Sequence, residues 1–296
     1  MMPFPPGTLL QRPRALAPPR GAAIINPADP INAGLLAAWM LGGHLYDLRG
    51  AHAPLSLQSG TGVSLTYAGL GLATSASHYA TTTVNAGLGG SFTMWCMGLR
   101  SGAGGTGDNT IMASNVASYT NYWASLGVDS GGSLVNFALF DGTNNPSASA
   151  GASTSSGLVA QIAGVRDTKA GTIAVYNNGI FMGSTGDTTT SVPSYSTLSI
   201  GTQSTIPATR FWNGTIVASR IWSRALNAGE IARLYAEPWG GLLFPSDDIS
   251  MIKVAGAGAS PCRSRTLLGI GCGIALAKKI EENPIIRRRA MFLPWE

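Results

Sequence analysis

The acids that could do general acid–base or nucleophilic work in this chain are few and scattered. No Glu precedes Glu230. Asp47, Asp108, Asp129, Asp141, Asp167 and Asp187 stand singly, each beside turn-forming residues. Cleaving a glycosidic bond needs two carboxylates flanking it, and no E-x-D-x-x-E strand is present to carry them. These aspartates are expected to close turns by accepting backbone N–H groups. His44, His52 and His78 have no metal-ligand spacing and no Cys near them in sequence. A serine nucleophile would need a His base, an orienting acid and a strained elbow to present it, and no such elbow is found. Cys96 lies in an apolar run and reads as a small core residue. With Cys262 and Cys272 the cysteines number three, so no disulfide framework is implied. The chain is expected to have no catalytic residue, no metal and no cofactor.

Those side chains would have to be held by a fold rich in strands and turns. The chain has 296 residues, 45% of them hydrophobic and only 11% charged, with 39 glycines. That length suits one large β domain with tails. The net charge of +5 is uneven. Arg12, Arg14 and Arg20 outweigh Asp29 at the N-terminal end, and eight Lys and Arg outweigh Glu281, Glu282 and Glu296 beyond residue 250, leaving −2 between. The basic surplus on the ends argues against a nucleic-acid-binding core. Basic ends can meet an acidic partner or a neighbouring subunit, or remain solvated. The proline-rich N-terminal stretch lacks the apolar region of an export signal. The apolar run 267–277 is too short and too glycine-rich for a bilayer span, so no membrane partner is expected.

The strongest local signal runs from Phe211 to Tyr235. Ile216, Ala218 and Arg220 alternate with Val217, Ser219 and Ile221, as in a strand packed on at least one face. Asn227 is a good N-cap, and Glu230 three residues on completes a capping box. Leu226 and Ile231 occupy the staple positions. Ile231, Leu234 and Tyr235 give the helix one apolar face, and Pro238 stops it.

Upstream, residues 34–40 read as a first strand. In residues 91–98, Phe92, Met94 and Cys96 fall on one face and Thr93, Trp95 and Met97 on the other. Residues 123–128 and 134–140 flank Asp129-Ser130-Gly131-Gly132, a strong hairpin signal. Asn177-Asn178-Gly179 calls for positive φ between two further strands. Short strands at regular spacing with turn residues between them indicate an antiparallel β-sandwich.

The strand and helix of 211–235 resemble the end of the LamG-like, concanavalin A-like jelly-roll domain family. Phe211, Asn213-Gly214, Arg220-Ile221-Trp222, Arg224-Ala225-Leu226, Glu230-Ile231 and Leu234-Tyr235 carry that resemblance. Gly34-Leu35 with Trp39, Ser91-Phe92-Thr93 with Trp95, the stretch 163–184 and Leu198-Ser199-Ile200-Gly201 extend it from about Ile31 to Tyr235, and residues 67–72 with 78–80 fit a hairpin of the family. The resemblance implies an all-β jelly roll with one short helix after the last strand. The chain then divides into a proline-rich arm at 1–30, a sandwich at 31–237 and a C-terminal extension at 238–296.

Some members of the family bind calcium at a rim, but six to eight oxygens are needed and no acidic cluster exists here. Sugar binding is the family's other activity. Tyr119, Asn121 and Tyr122, with Asp141, Asn144 and Asn145 in a second polar loop, are the candidate carbohydrate-binding residues. The alternative is that the tyrosines pack on a strand face.

The exit Pro238-Trp239-Gly240-Gly241-Leu242-Leu243-Phe244-Pro245 and the approach around Arg12 to Pro19 resemble bacteriophage and prophage structural proteins. The resemblance implies a non-catalytic virion component, a capsid decoration or a tail or fibre part, made in the host cytoplasm. It would be held, as a homo-oligomer or in repeated copies, to other virion proteins by residues 1–30 and 246–296. Arg287, Arg288, Arg289, Phe292 and Trp295 are the candidate attachment residues. The alternative function is a carbohydrate-binding module or adhesin recognising cell-surface glycans.

Overall fold

A computed structural model describes residues 23–243, apart from 43–44, 59–60, 67–68, 87, 105–108, 116–122, 152–156, 191–194 and 204–209. Seventeen strands and one α-helix are described. The first six strands are β1 (Ile24–Ile25), β2 (Leu35–Met40), β3 (Ser56–Leu57), β4 (Val63–Thr66), β5 (Gly69–Thr74) and β6 (Ala80–Ala86). Then come β7 (Phe92–Arg100), β8 (Asn109–Asn115), β9 (Trp123–Val128), β10 (Leu134–Phe140), β11 (Ser147–Gly151) and β12 (Val159–Asp167). The last are β13 (Thr172–Asn177), β14 (Ile180–Gly186), β15 (Tyr195–Ile200), β16 (Gly214–Trp222), helix α1 (Ala228–Ala236) and β17 (Leu242–Leu243).

They form an antiparallel sandwich. One sheet has seven strands in the order β11-β10-β9-β8-β15-β6-β3. The other has eight, in the order β14-β13-β12-β7-β16-β5-β4, with β2 also on β16. Between them lies the main core, including Trp39, Leu72, Phe92, Met94, Cys96, Phe137, Ile162, Val175, Trp212 and Ile221. Phe92 and Phe137 meet edge to face across it, centroids 5.9 Å apart. The sheets approach closely at Gly164, where a Cβ would stand 2.2 Å from the Phe137 ring. Gly164→Ala is therefore expected to destabilise the domain by about 1–3 kcal/mol through overpacking, measured by denaturant unfolding. An unchanged midpoint would show that Phe137 has room to move.

Strand β16 is buried along its whole length, because a second apolar layer covers the outer face of the eight-stranded sheet. Trp95, Met97, Val217, Ala218 and Trp222 form it with Leu226, Ile231 and Leu234 of the helix region and with Ile31 and Trp239. The simple alternation expected for β16 fails at one point. A bulge between Ile216 and Ala218 leaves Ile216 in the inter-sheet core and puts Val217 and Ala218 both in the outer layer. One extra residue shifts the period. It also lets one edge of β16 take β5 at 214–216 and β2 at 218–222.

The capped helix is as the sequence indicates. Asn227 Oδ1 accepts from Glu230 N at 3.0 Å, and Glu230 Oε2 accepts from Asn227 N at 2.9 Å. The β13–β14 turn has Asn178 at φ 50° and Gly179 at φ 80°, the two positive values that this hairpin type requires. The hairpin of 67–72 with 78–80 that the resemblance implies is not formed. Strands β5 and β6 lie in different sheets, so the link between them crosses the sandwich. Residues 23–30 and 238–243, divided off in the sequence as arm and extension, also belong to the packing. Ile24 pairs with Leu243 and Ile25 with Leu242. They join because the outer sheet face would otherwise expose Trp95 and Trp222.

Candidate functional site

At one end of the sandwich, loops are fastened by buried acids. Asp141 leaves β10 and turns back on itself: Oδ1 accepts from Thr143 N at 3.0 Å and Asn144 N at 2.7 Å. Its Oδ2 accepts from Asn144 Nδ2 at 3.1 Å and from Thr190 N at 2.8 Å. Burial alone would raise its pKa, but the amides of Asn144, Thr190 and Thr143 and the Asn144 side chain outweigh burial and hold it well below the ordinary range. Beside it, Arg166 Nε donates to Asp187 Oδ2 at 2.6 Å, with both side chains 5% exposed. Arg166 also reaches Thr189 Oγ1 at 2.8 Å and Gly89 O at 3.1 Å. Asp141 and Asn144, two of the candidate sugar contacts, are thus engaged in holding loop 141–146 to loop 187–190.

The other described aspartates of the sandwich do the same kind of work. Asp47 accepts from the amides of Ala38, Arg49 and Ala51 and from His52 Nδ1 at 2.8 Å. Asp129 takes Ser133 N and Leu134 N, and Asp167 takes Lys169 N and Ala170 N. Glu230 accepts both ends of the Arg224 guanidinium. Asp108 lies outside the described residues. Burial pushes the Cys96 thiol up to about 12, despite a hydrogen bond with Ser219, so it is no nucleophile at neutral pH. Among the described residues no three His, Cys, Asp or Glu side chains group as metal ligands would, and no helix is long and apolar enough to cross a membrane.

The seven-stranded sheet offers a different kind of site on its outer face. In β10, Val135, Phe137 and Leu139 point into the core, which turns Asn136, Ala138 and Phe140 outward. Trp123 is the register partner of Phe140, and the two rings stack at 5.9 Å and 30°. On the neighbouring edge strand β11, Ser149 lies opposite Asn136 and Ser147 opposite Ala138. Ser147 Oγ donates to Asn136 Oδ1 at 3.3 Å and lies 3.1 Å from Ser149 Oγ. Ser147 and Ser149 are exposed, and Asn136 and Phe140 are half-buried. An aromatic edge beside a half-buried amide and exposed hydroxyl groups can stack on an apolar ring face and bond its substituents.

The sequence reading missed this shelf, although Asn136 breaking an apolar strand was its signal. Tyr119, Asn121 and Tyr122 lie outside the described residues. The strand end they lead into, Trp123, sits beside Phe140, from which the 141–146 loop departs. Of the two candidate loops, the described one, 141–146, therefore borders this end of the sheet. Arg287, Arg288, Arg289, Phe292 and Trp295 also lie outside the described residues.

The base of the arms is built on the opposite sheet. Arg220, 2% exposed, projects from β16 over the Trp95 ring at 5.4 Å. It donates to Pro238 O at 2.7 Å and Gly240 O at 3.1 Å. Asn32 Nδ2 bridges Asn26 O and Gly241 O at 2.8 and 2.7 Å. Arg233 clasps Asp29 through two bonds of 2.6 and 2.8 Å, which holds the Asp29 carboxyl below its ordinary value. Trp222 Nε1 donates to Ile31 O at 2.7 Å. Because Ile24 pairs with Leu243, the chain enters the described fold at 23 and leaves it at 243 from the same end of one ribbon.

Solved structures with the same fold are distant in sequence. Domain 4 of AbnA, a GH43 extracellular arabinanase from Geobacillus stearothermophilus in complex with arabinotriose, aligns with TM-score 0.53 and 16% identity over 68% of this chain and 98% of that domain. The receptor binding domain of botulinum neurotoxin C/D mosaic serotype aligns with TM-score 0.53 and 16% identity over 69% of this chain and 51% of that one. The binding domain of Paraclostridial Mosquitocidal Protein 1 gives 0.54 and 15% over 71% and 53%. The chain thus spans about half the length of these toxin domains. No curated protein sequence matches the chain. A model of the concanavalin A-like lectin/glucanases superfamily matches residues 73–232, more than half of the chain and all of the sandwich from the end of β5 into the helix, so the protein belongs to that superfamily.

Proposed function

We propose that the protein is a non-catalytic binding module, a virion structural component that displays its sandwich while its terminal segments fasten it to the particle. The observation that carries this reading is the β1–β17 ribbon. It brings both ends of the described fold to one place on the outer face of the eight-stranded sheet, and leaves the β10–β11 edge of the other sheet and its loops for a ligand. The phage-like wording of the flanks supports the virion setting. The engagement of the described carboxylates in turns and ion pairs supports a role without hydrolysis. Deleting residues 246–296 leaves the ribbon intact. The truncated chain is expected to be absent from purified particles, while full-length protein co-sediments with them. Normal incorporation of the truncated chain would sink the attachment role.

The ligand reading favours glycans. The arabinanase domain is described with arabinotriose bound and the botulinum neurotoxin domain as receptor-binding, and the shelf at Phe140, Asn136, Ser147 and Ser149 offers stacking beside hydroxyl and amide groups. On a glycan array, Asn136→Ala and Phe140→Ala are expected to weaken binding about tenfold each, as for contacts worth 1–2 kcal/mol. Purified protein is expected to leave glucans and galactans uncut. Binding that is unchanged in both variants would move the site off this face.

A further inference from the structure

We propose that the free edge of the eight-stranded sheet, strand β4, pairs antiparallel with the β4 of a second copy of this chain. The sandwich is closed on one side, where β11 rests against β14. Its other side ends in β4 on one sheet and the two-residue β3 on the other. Across the β4–β5 ladder Val63 faces Leu72 and Leu65 faces Leu70, and residues directly opposite share a face. Leu72 is fully buried in the inter-sheet core, so Val63, Leu65 and Leu70 point toward that same side. Yet they are 56%, 76% and 46% exposed. The core's apolar face runs on past the last strand that covers it.

The backbone of this edge is also open. Ala73 N donates to Gly62 O. Alternation along an antiparallel pair then turns Ser64 toward β5, and the N–H and C=O groups of Val63 and Leu65 away from it. Among the described residues no strand lies on that side. Natural edges are guarded by charge, proline or a bulge. Residues 55–77 contain neither a charged residue nor a proline, and the β4–β5 register is unbroken.

A second copy fits this edge better than an unrelated partner. A two-fold axis at Ser64 would set Val63 against the partner copy's equivalent of Leu65, and the reverse, so both outward-facing pairs close their hydrogen bonds at once. The apolar overhangs of the two copies would then meet across the axis. With no charge on either edge, like copies do not repel, and a charged partner finds nothing to complement.

The test is sedimentation of the full-length chain across a concentration series. Wild type is expected to shift from monomer to dimer mass. Leu65→Lys, at a position 76% exposed, is expected to weaken association at least about tenfold, with an unchanged circular dichroism spectrum. Val63→Lys is a second variant on the same strand and should act alike. Leu158→Lys, at an exposed apolar site elsewhere, should associate as wild type does. A wild type that stays monomeric, a Leu65→Lys and Val63→Lys pair that associate normally, or a Leu158→Lys that loses association equally would overturn the proposal.

Discussion

Asp141→Ala is expected to cost about 3 kcal/mol of unfolding free energy, because it takes a charged acceptor from the part-buried bonds to Thr143 N, Asn144 N and Thr190 N, and a hydrogen bond to a charged group is worth about 1.5–3 kcal/mol. Asp141 is 6% exposed, so water does not replace the carboxylate freely. Asp141→Asn should be nearly as damaging, since one oxygen becomes a donor facing donors. Denaturant unfolding measures both. A residue that served only to touch a ligand would show the opposite pattern, with binding lost and the midpoint kept.

The same carboxyl sets a pH dependence. Its folded pKa lies below the ordinary Asp value of 3.8, as do those of Asp29, Asp129 and Asp187. A carboxyl with a lowered folded pKa stabilises the fold fully above its unfolded value, and that contribution is lost as pH falls through the folded one. Wild-type stability should therefore hold at neutral pH and decline below about 4. The decline should be shallower in Asp141→Ala. Parallel acid curves for the two proteins would show that Asp141 is not among the groups taking up protons.

Arg220→Ala is expected to cost about 3 kcal/mol, from two charge-assisted hydrogen bonds of about 1.5–3 kcal/mol each, offset in part by relief of a buried charge. Burial pushes the Arg220 pKa down to about 10, which marks how much water this cation has given up. Its donors hold Pro238 O and Gly240 O, and its plane covers Trp95. Losing it should free the Pro238–Gly241 turn and, through that turn, the β1–β17 ribbon. Hydrogen exchange at Leu242 and Asn26, whose amides bond Trp239 O and Gly241 O, should rise well before the sandwich strands exchange. Arg220→Met fills most of the volume and should be milder. Equal protection of the ribbon in wild type and Arg220→Ala would show that the apolar layer alone holds it.

Much of this fold could be read from the chain because the deciding groups are near neighbours in sequence. Asn227 and Glu230 are three residues apart, so the capping box closes within one turn of helix. Asn178 and Gly179 make their own turn, and Phe92, Met94 and Cys96 alternate along one strand. The single aspartates Asp129 and Asp167 bond amides two to five residues away, and so does Asp47 apart from its bond to Ala38 N. For Asp141 the local half of the bonding was legible, and the bond to Thr190 was not.

What only the tertiary structure decided are the pairings between residues distant in the chain. A strand's periodicity states that it has two faces but not which sheet it joins. The 75–79 link therefore looked like a hairpin turn and proved to be a crossing between sheets. The bulge at Val217 depends on β16 meeting β2 and β5 along one edge. Arg220 became a buried clasp because Pro238 and Gly240 fold back over β16. The shelf of Asn136, Phe140, Ser147 and Ser149 exists because β9, β10 and β11 fall into one register at one sheet's edge. Local bonding and periodicity act over a few residues and are written in the sequence. The choice of neighbour follows from burying all apolar faces at once, which the assembled chain alone resolves.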